Sequence, residues 1–168
     1  MQLELSNQPV FPWSDPMPET IFEALRNDHQ TQRRLIELVS KTHGDSAGRR
    51  ELFERLKDEA LAHAKVEERV LYSRLLADEL SRDKAGHSVK EHHSAEAIFE
   101  ELAEREMSDA GWLLRFKTLA DELLHHMEEE EQEVFQLAGK VVEEQQQHEL
   151  AQQFHSEKPA QRDTEKAS

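Results

Sequence analysis

Apolar side chains recur every three or four positions along most of the chain, which is the spacing of one face of an α-helix. No proline occurs between Glu19 and Lys158, and the glycines fall near the ends of the periodic stretches. We expect four long helices and a shorter one, near residues 19–42, 49–78, 86–107, 110–138 and 143–157. The pattern therefore predicts an all-α fold, an up-down-up-down four-helix bundle followed by a short C-terminal helix.

The two ends of the chain differ from this periodic middle. Residues 1–18 contain four prolines and are predicted to form an extended N-terminal arm, whose Phe11 and Trp13 pack on the bundle. Residues 158–168 are polar and are predicted to be a disordered tail. The bundle with its appended helix is thus expected to occupy residues 19–157.

Polar side chains interrupt the apolar stripe of each long helix at positions where another apolar residue is due. The second helix carries HAKVEERVLY (63–72) and the fourth carries HMEEEEQEVF (126–135), so both contain His-x-x-x-Glu. The two segments align at an offset of 63 residues, which also carries the first helix onto the third. The pairs related by this offset are Asp28 and Glu91, His29 and His92, His63 and His126, Glu67 and Glu130, and Glu68 and Glu131. The chain therefore consists of two helix hairpins with the same polar pattern.

The helical register decides which of the neighbouring histidines and glutamates point inwards. Residues four apart lie on one face of a helix. His126 and Glu130 continue the apolar row of the fourth helix, whereas His125 and Glu129 continue a polar row. We therefore expect the first pair to face the core and the second pair to face water. Glu68 and its counterpart in the repeat are expected to be exposed, or to orient a histidine ring.

The inward positions bring together side chains that commonly bind metal. They are His29, His63, Glu67, His92, His126 and Glu130. Two carboxylates can each bridge two cations, and two imidazoles can then bind each cation. Such donors, without sulfur, suit iron, manganese or zinc. Because burying six polar groups without a cation would cost free energy, the sequence predicts a centre that holds two metal ions.

Composition narrows the possible partners. The chain has no cysteine, which excludes disulfides, thiolate metal sites and cysteine nucleophiles. Its 36 acidic and 21 basic residues give a formal net charge of −15, which argues against nucleic acid and anionic membranes. The sequence contains no stretch typical of a membrane span or a signal peptide, so a cytoplasmic location is expected.

At these residues the sequence resembles the hemerythrin family, in particular bacterial hemerythrin-like proteins with the HHE cation-binding domain. The resemblance covers about residues 19–157, and the matching segments are NDHQ (27–30), HAKVEERVLY (63–72), KEHH (90–93) and HMEEEEQEVF (126–135). It implies a four-helix bundle around a non-haem di-iron centre, bridged by the two carboxylates and an oxo or hydroxo group. Members of the family bind dioxygen reversibly, or sense oxygen, nitric oxide or iron.

Two positions depart from the oxygen carriers of this family. Glu96 stands where the carriers have a second histidine on the third helix. Either both irons keep an open position, or Glu96 supplies a sixth ligand to one of them; it could equally pair with Arg33, its counterpart in the repeat. The carriers also place the bridging carboxylate of the fourth helix five residues after its histidine, which would select Glu131. The internal repeat selects Glu130 instead.

These features predict a di-iron protein that binds dioxygen or a related small ligand, such as nitric oxide or peroxide, for storage, delivery or sensing. A di-iron redox enzyme that consumes peroxide or nitric oxide, and an iron-responsive structural module, are the alternatives. A ferritin-like site is excluded, because the only E-x-x-H, Glu122 to His125, has no copy at the 63-residue offset. The sequence allows a monomer or a homodimer.

Overall fold

The protein is a bundle of helices, described here by a computed structural model that covers residues 17–166, with side chains to residue 159. Its elements are α1 (Ile21–Ser40), α2 (Ala47–Glu67), a first π-helical segment (Glu68–Tyr72), α3 (Ser73–Ala77), α4 (Arg82–Glu104), α5 (Ala110–Glu129), a second π-helical segment (Glu130–Val134), α6 (Phe135–Val141) and α7 (Glu144–Lys166). We call residues 21–77 the first hairpin and residues 82–141 the second hairpin. The predicted all-α fold is confirmed, since this part of the chain contains no strand.

Side-chain caps explain where several helices begin. At the start of α1 the backbone N–H of Glu23 donates to Thr20 Oγ1 (3.3 Å), and the Thr20 N–H donates to Glu23 Oε2 (2.8 Å). This reciprocal pair is a capping box. Ser46 and Asp109 accept backbone N–H groups in the same way before α2 and α5. The starts of α1, α2 and α5 are therefore fixed by local hydrogen bonds.

A polar layer divides the core into two apolar clusters. On α1, Ile21 and Leu25 belong to one cluster, Leu35 and Val39 belong to the other, and His29 is buried between them. The cluster beyond Leu35 is built around aromatic rings, namely Phe53, Phe99, Trp112 and Phe116. The helices are thus held together at both ends of the bundle, which keeps the polar side chains of the middle layer in place.

Both π-helical segments lie beside the predicted metal ligands. The first begins directly after Glu67, and the second begins at Glu130. A π-helical turn inside an α-helix holds one extra residue and often marks a functional site. In the first segment the extra residue lets three consecutive side chains, Val70, Leu71 and Tyr72, all be buried. The sequence analysis did not predict these segments.

The C-terminal helix α7 packs against α1 and α2 and is longer than predicted. Phe154 is fully buried in its interface, and Lys158 is 7% exposed. The helix continues through Pro159 to Lys166, so the backbone of residues 158–166, predicted as a disordered tail, is helical. Phe11, Trp13 and most of the predicted N-terminal arm lie outside the described residues. No helix of the described chain is both long and apolar enough to cross a membrane.

Candidate metal centre

The structure brings the six predicted ligands together in the polar layer between the two apolar clusters. All of them are buried, with 8% exposure at most: His29, His63, Glu67, His92, His126 and Glu130. They come from four helices and the start of the second π-helical segment. The register argument also holds for the neighbouring pair on α5, because His125 is exposed and the half-buried Glu129 binds Lys84 at the surface (3.0 Å).

The donor atoms form two groups that share one carboxylate. One group consists of His29, His63 and Glu130, and its donor atoms lie within 4.8 Å of one another. The second group consists of Glu67, His92, His126 and Glu130, within the same limit. Each hairpin thus supplies the two histidines of one group, and Glu130 belongs to both.

Both buried glutamates lie between the two pairs of histidines. Glu67 Oε2 is 3.6 Å from the Nε2 atom of His63 and 3.5 Å from that of His92. Glu130 Oε2 is 3.1 Å from His29 Nε2 and 3.7 Å from His126 Nε2. Each carboxylate can therefore reach cations on both sides, as a bridging ligand must.

Several inward-facing atoms have no hydrogen-bond partner among the described residues. They are His29 Nε2, His63 Nε2, both carboxylate oxygens of Glu67, and Glu130 Oε2. Buried polar atoms without partners are rare in folded proteins, because each one loses its hydration without compensation. Here they converge on one place and are all nitrogen or oxygen donors, so a pair of cations fits the residues present.

A carboxylate orients each of the four histidine rings from behind. A carboxylate can only accept, so each Nδ1–H donates and each Nε2 is turned towards the centre, where those of His92 and His126 lie 3.0 Å apart. The contacts are His29 to Glu131 (2.8 Å), His63 to Asp28 (2.9 Å), His92 to Glu68 (2.7 Å) and His126 to Glu91 (2.8 Å). Carboxylates commonly fix metal-binding histidines in this way.

The orienting carboxylates follow the internal repeat. Asp28 and Glu91 are 63 residues apart, as are Glu68 and Glu131. From the sequence, an orienting role was expected only for the second pair. The repeat was the signal that could have identified Asp28 and Glu91, since the offset aligns both with each other.

Burial and mutual charge separate the pKa values of the two central carboxyl groups. Burial, and then the charge of Glu130, raise the pKa of Glu67 well above its usual value. Burial also opposes ionisation of Glu130, but the surrounding imidazoles outweigh it and hold the pKa of Glu130 well below its usual value. Burial lowers the pKa of His63 to about 4, against the hydrogen bond to Asp28. The His63 ring is therefore neutral, the form that binds metal.

Two other histidines are shifted in opposite directions. Burial lowers the pKa of His29, but its contacts with Glu130 and Glu131 outweigh burial and raise that pKa overall. Burial lowers the pKa of His92, although the hydrogen bond to Glu68 opposes this. Glu130 and Glu131 thus favour the protonated form of the His29 ring when no cation is bound, and metal binding would displace that proton.

Tyr72 is a buried polar neighbour of the centre. Its hydroxyl donates to Glu130 Oε1, and its ring stands edge-on to His92 with centroids 5.8 Å apart. Burial, and then the charges of Glu130 and Glu67, raise the pKa of Tyr72 well above its usual value, so the hydroxyl keeps its proton. Its counterpart in the repeat is Phe135, which stacks on His29 at 6.2 Å and has no hydroxyl to donate.

Glu131 and Glu96, the two alternative metal ligands raised by the sequence, lie in different positions. Glu131 is not a member of either donor group; it binds His29 Nδ1 and accepts from Arg33 Nη1 at 2.9 Å. Arg33 therefore pairs with Glu131 rather than with Glu96. Glu96 is half-buried and also belongs to neither group. Ligation by Glu96 stays a prediction.

The fold and the centre are those of a helical bundle that binds cations through histidines and carboxylates. The Hemerythrin HHE cation binding domain family model matches residues 20–138, more than half of the chain, and the chain belongs to this family. The resemblance inferred from the sequence is thus confirmed. No curated protein matches the sequence.

A solved structure is similar over most of the chain. It is the crystal structure of a Hemerythrin HHE cation binding domain-containing protein from Mycobacterium kansasii, a homologue of Rv2633c. The two chains are 21% identical, the match covers 87% of this chain and 89% of the other, and the TM-score is 0.76. At this identity the likeness supports the shared fold.

Proposed function

We propose that the protein holds two iron ions and binds dioxygen or a related small ligand at them. The observation that carries this proposal is the convergence of unpartnered donor atoms from both hairpins, at Glu67 and Glu130, with every ring fixed from behind. Without a cation the bundle would bury these atoms at a large cost in free energy. The cytoplasmic location expected from the sequence accompanies this proposal.

In the proposed centre each hairpin binds one cation. His29 and His63 would hold one, His92 and His126 would hold the other, and Glu67 and Glu130 would be shared between them. Imidazole and carboxylate donors suit iron, and also manganese or zinc. The family resemblance favours iron. When bound, the metal supplies reversible ligand binding and electron transfer, while the chain supplies position, charge and the shape of the pocket.

A small cavity favours a small ligand. It has a volume of about 20 Å³ and lies against all four histidines, and its other walls are mostly apolar side chains. A space of this size accommodates about one water molecule. We expect the ligand to be diatomic or of similar size, because the packed apolar walls leave no room for a larger substrate.

Metal analysis followed by exposure to air tests the proposal. Protein purified without added metal should contain close to two irons per chain, and a value near zero after anaerobic ferrous reconstitution would contradict it. The loaded ferrous protein is then mixed with air. A coloured form that reverses under vacuum indicates a carrier, whereas irreversible conversion to a ferric form indicates redox chemistry. No spectral change would exclude both.

A di-iron redox enzyme is the second candidate, favoured by the position of Tyr72. Its buried hydroxyl holds a proton beside Glu130, and consuming a peroxide requires protons at the oxygen that leaves. Tyr72→Phe would then lower the rate of peroxide consumption without changing the iron count. An unchanged rate would exclude this role for Tyr72. The matched control is Phe135→Tyr, at the equivalent position of the second hairpin.

A further inference from the structure

Gln32 is a buried amide that the proposed iron ligands do not use. It lies three residues after His29 on α1 and is 3% exposed. Its side-chain Nε2 has no hydrogen-bond partner among the described residues. A buried amide N–H without a partner loses its hydration without compensation, so a partner in the functional state is expected.

Gln32 lines the cavity that faces the four histidines. Apart from those histidines, it is the one polar side chain in the cavity wall among the described residues; the other lining side chains belong to alanine, leucine, phenylalanine and methionine. A ligand that enters this cavity would meet a single donor. Any hydrogen bond that it makes with a side chain other than a histidine must therefore involve Gln32.

The internal repeat shows that the amide is not required by the helix packing. The position equivalent to Gln32 in the second hairpin is Ala95, which lines the same cavity and is also buried. A small apolar residue is thus compatible with this place in the bundle. The polar wall belongs to the first hairpin alone, so the cavity is asymmetric although the histidines around it are not.

We propose that the Gln32 side chain donates a hydrogen bond to the outer atom of the small ligand and makes the site selective for ligands that can accept it. This inference rests on the proposed function, since the ligand must be held by metal next to the cavity. The ligand class is small anions and partly reduced oxygen or nitrogen species with an accepting terminal atom. A ligand without such an atom would gain nothing from Gln32.

Azide binding to the iron-loaded, oxidised full chain tests this inference. Gln32→Met removes the donor at similar volume and should weaken azide by about tenfold or more, because hydrogen bonds to charged groups are among the stronger ones. Leu123→Met changes the apolar wall of the same cavity and should leave the dissociation constant within about twofold. Equal affinities for Gln32→Met and the parent would overturn the inference.

The infrared stretch of bound azide provides a second readout that does not depend on activity. In the parent protein the band should shift when the protein is moved from H₂O to D₂O, and this shift should be absent in Gln32→Met. A shift of the same size in both proteins would also overturn the inference. Iron counts separate the two levels of failure. Two irons with an unchanged azide affinity reject Gln32 alone, whereas loss of iron from the parent, or no azide binding to it, rejects the inference together with its premise.

Discussion

The two hairpins provide the same metal ligands in different surroundings. In the first hairpin, Asp28 behind His63 accepts from Lys158 Nζ at 2.6 Å, and Lys158 also binds Glu59. Burial opposes ionisation of Asp28, yet His63 and Lys158 hold its pKa at about 2. Thus the buried ammonium group of Lys158, on the C-terminal helix, neutralises the carboxylate that orients the His63 ring.

The equivalent carboxylate of the second hairpin, that of Glu91, is more exposed to solvent than Asp28. Glu91 behind His126 lies 3.2 Å from the exposed His87, and its side chain is 23% exposed. Among the described residues Glu91 pairs with His87 and His126, whereas helix α7, which carries Lys158, packs on α1 and α2. The set of candidate donors repeats between the hairpins, while the residues behind the donors differ. We expect the two cation sites to differ in stability and in electronic character.

The largest expected effect is the loss of both cations when Glu130 is changed. Glu130 belongs to both donor groups, whereas Glu67 belongs only to the group of the second hairpin. Glu130→Ala should therefore reduce the metal content to near zero. Glu67→Ala should weaken both cations, since Glu67 lies between both pairs of histidines, but it should cost less metal than Glu130→Ala. Metal analysis after gel filtration measures both.

The matched control for these variants is Glu129→Ala, since Glu129 is next to Glu130 in sequence but binds Lys84 at the surface. It should keep two cations per chain. An equal loss of metal in all three variants would contradict the helical register from which the ligands were assigned. If Glu130→Ala and Glu67→Ala lose equal amounts of metal while Glu129→Ala loses none, the two cation sites fill together.

The next largest effect should come from Lys158, which marks the difference between the hairpins. Lys158→Met keeps the length of the side chain but leaves the half-buried Asp28 and the buried Glu59 close together without its charge. Breaking a buried ion pair from one side costs about 3–5 kcal/mol in the free energy of unfolding. Urea unfolding of parent and variant in the same metal state measures the loss.

Arg33→Met is the matched control for the Lys158 variant. Arg33 also neutralises an orienting carboxylate, that of Glu131, but its side chain is 34% exposed. Its removal should cost about 0–1 kcal/mol, as for other exposed ion pairs. Similar losses of unfolding free energy in the two variants would mean that the buried ion pairs of Lys158 are no stronger than the exposed ion pair of Arg33.

The candidate ligands that the structure brings together could be selected from the sequence because two independent patterns agree on them. The apolar stripe sets the register of each helix, and the 63-residue repeat selects His63 and Glu67, then His126 and Glu130, from the same positions of two helices. The fold followed from the same periodicity. Both patterns are local or repetitive, which is why a single sequence was sufficient.

The features of the structure that the sequence did not predict depend on contacts between distant segments of the chain. Lys158 and Asp28 are 130 residues apart, and nothing in the pattern of α7 shows which helices it covers. Asp28 and Glu91 were aligned by the repeat, but the ring that each one meets lies on another helix. The sequence did not predict a role for Gln32. A polar residue within the apolar stripe of a helix is informative only when its repeat partner is also polar, and the repeat partner of Gln32 is Ala95.

A smaller effect is expected from the carboxylates behind the rings. Asp28→Asn and Glu91→Gln keep shape and remove charge, and each should weaken metal affinity by about 10–100-fold at the group that contains its histidine. Chelator competition that follows the release of each cation measures the affinities. Matching losses would show that the orienting role repeats between hairpins, whereas a larger loss for Asp28→Asn would show that Lys158 acts through Asp28. No loss in either variant would remove the orienting role.

The smallest expected effect belongs to Glu96, the position that could make the two cation sites unequal by ligation. Glu96 is half-buried and contributes no donor atom to either group among the residues that the structure describes, so Glu96→Ala should leave two cations per chain and change their affinity by less than about twofold. Arg33→Met again serves as the control, because Arg33 occupies the equivalent position of the first hairpin. If Glu96→Ala instead releases the cation of the second hairpin alone, Glu96 is its sixth ligand. The asymmetry between the hairpins would then extend to the metal ligands themselves.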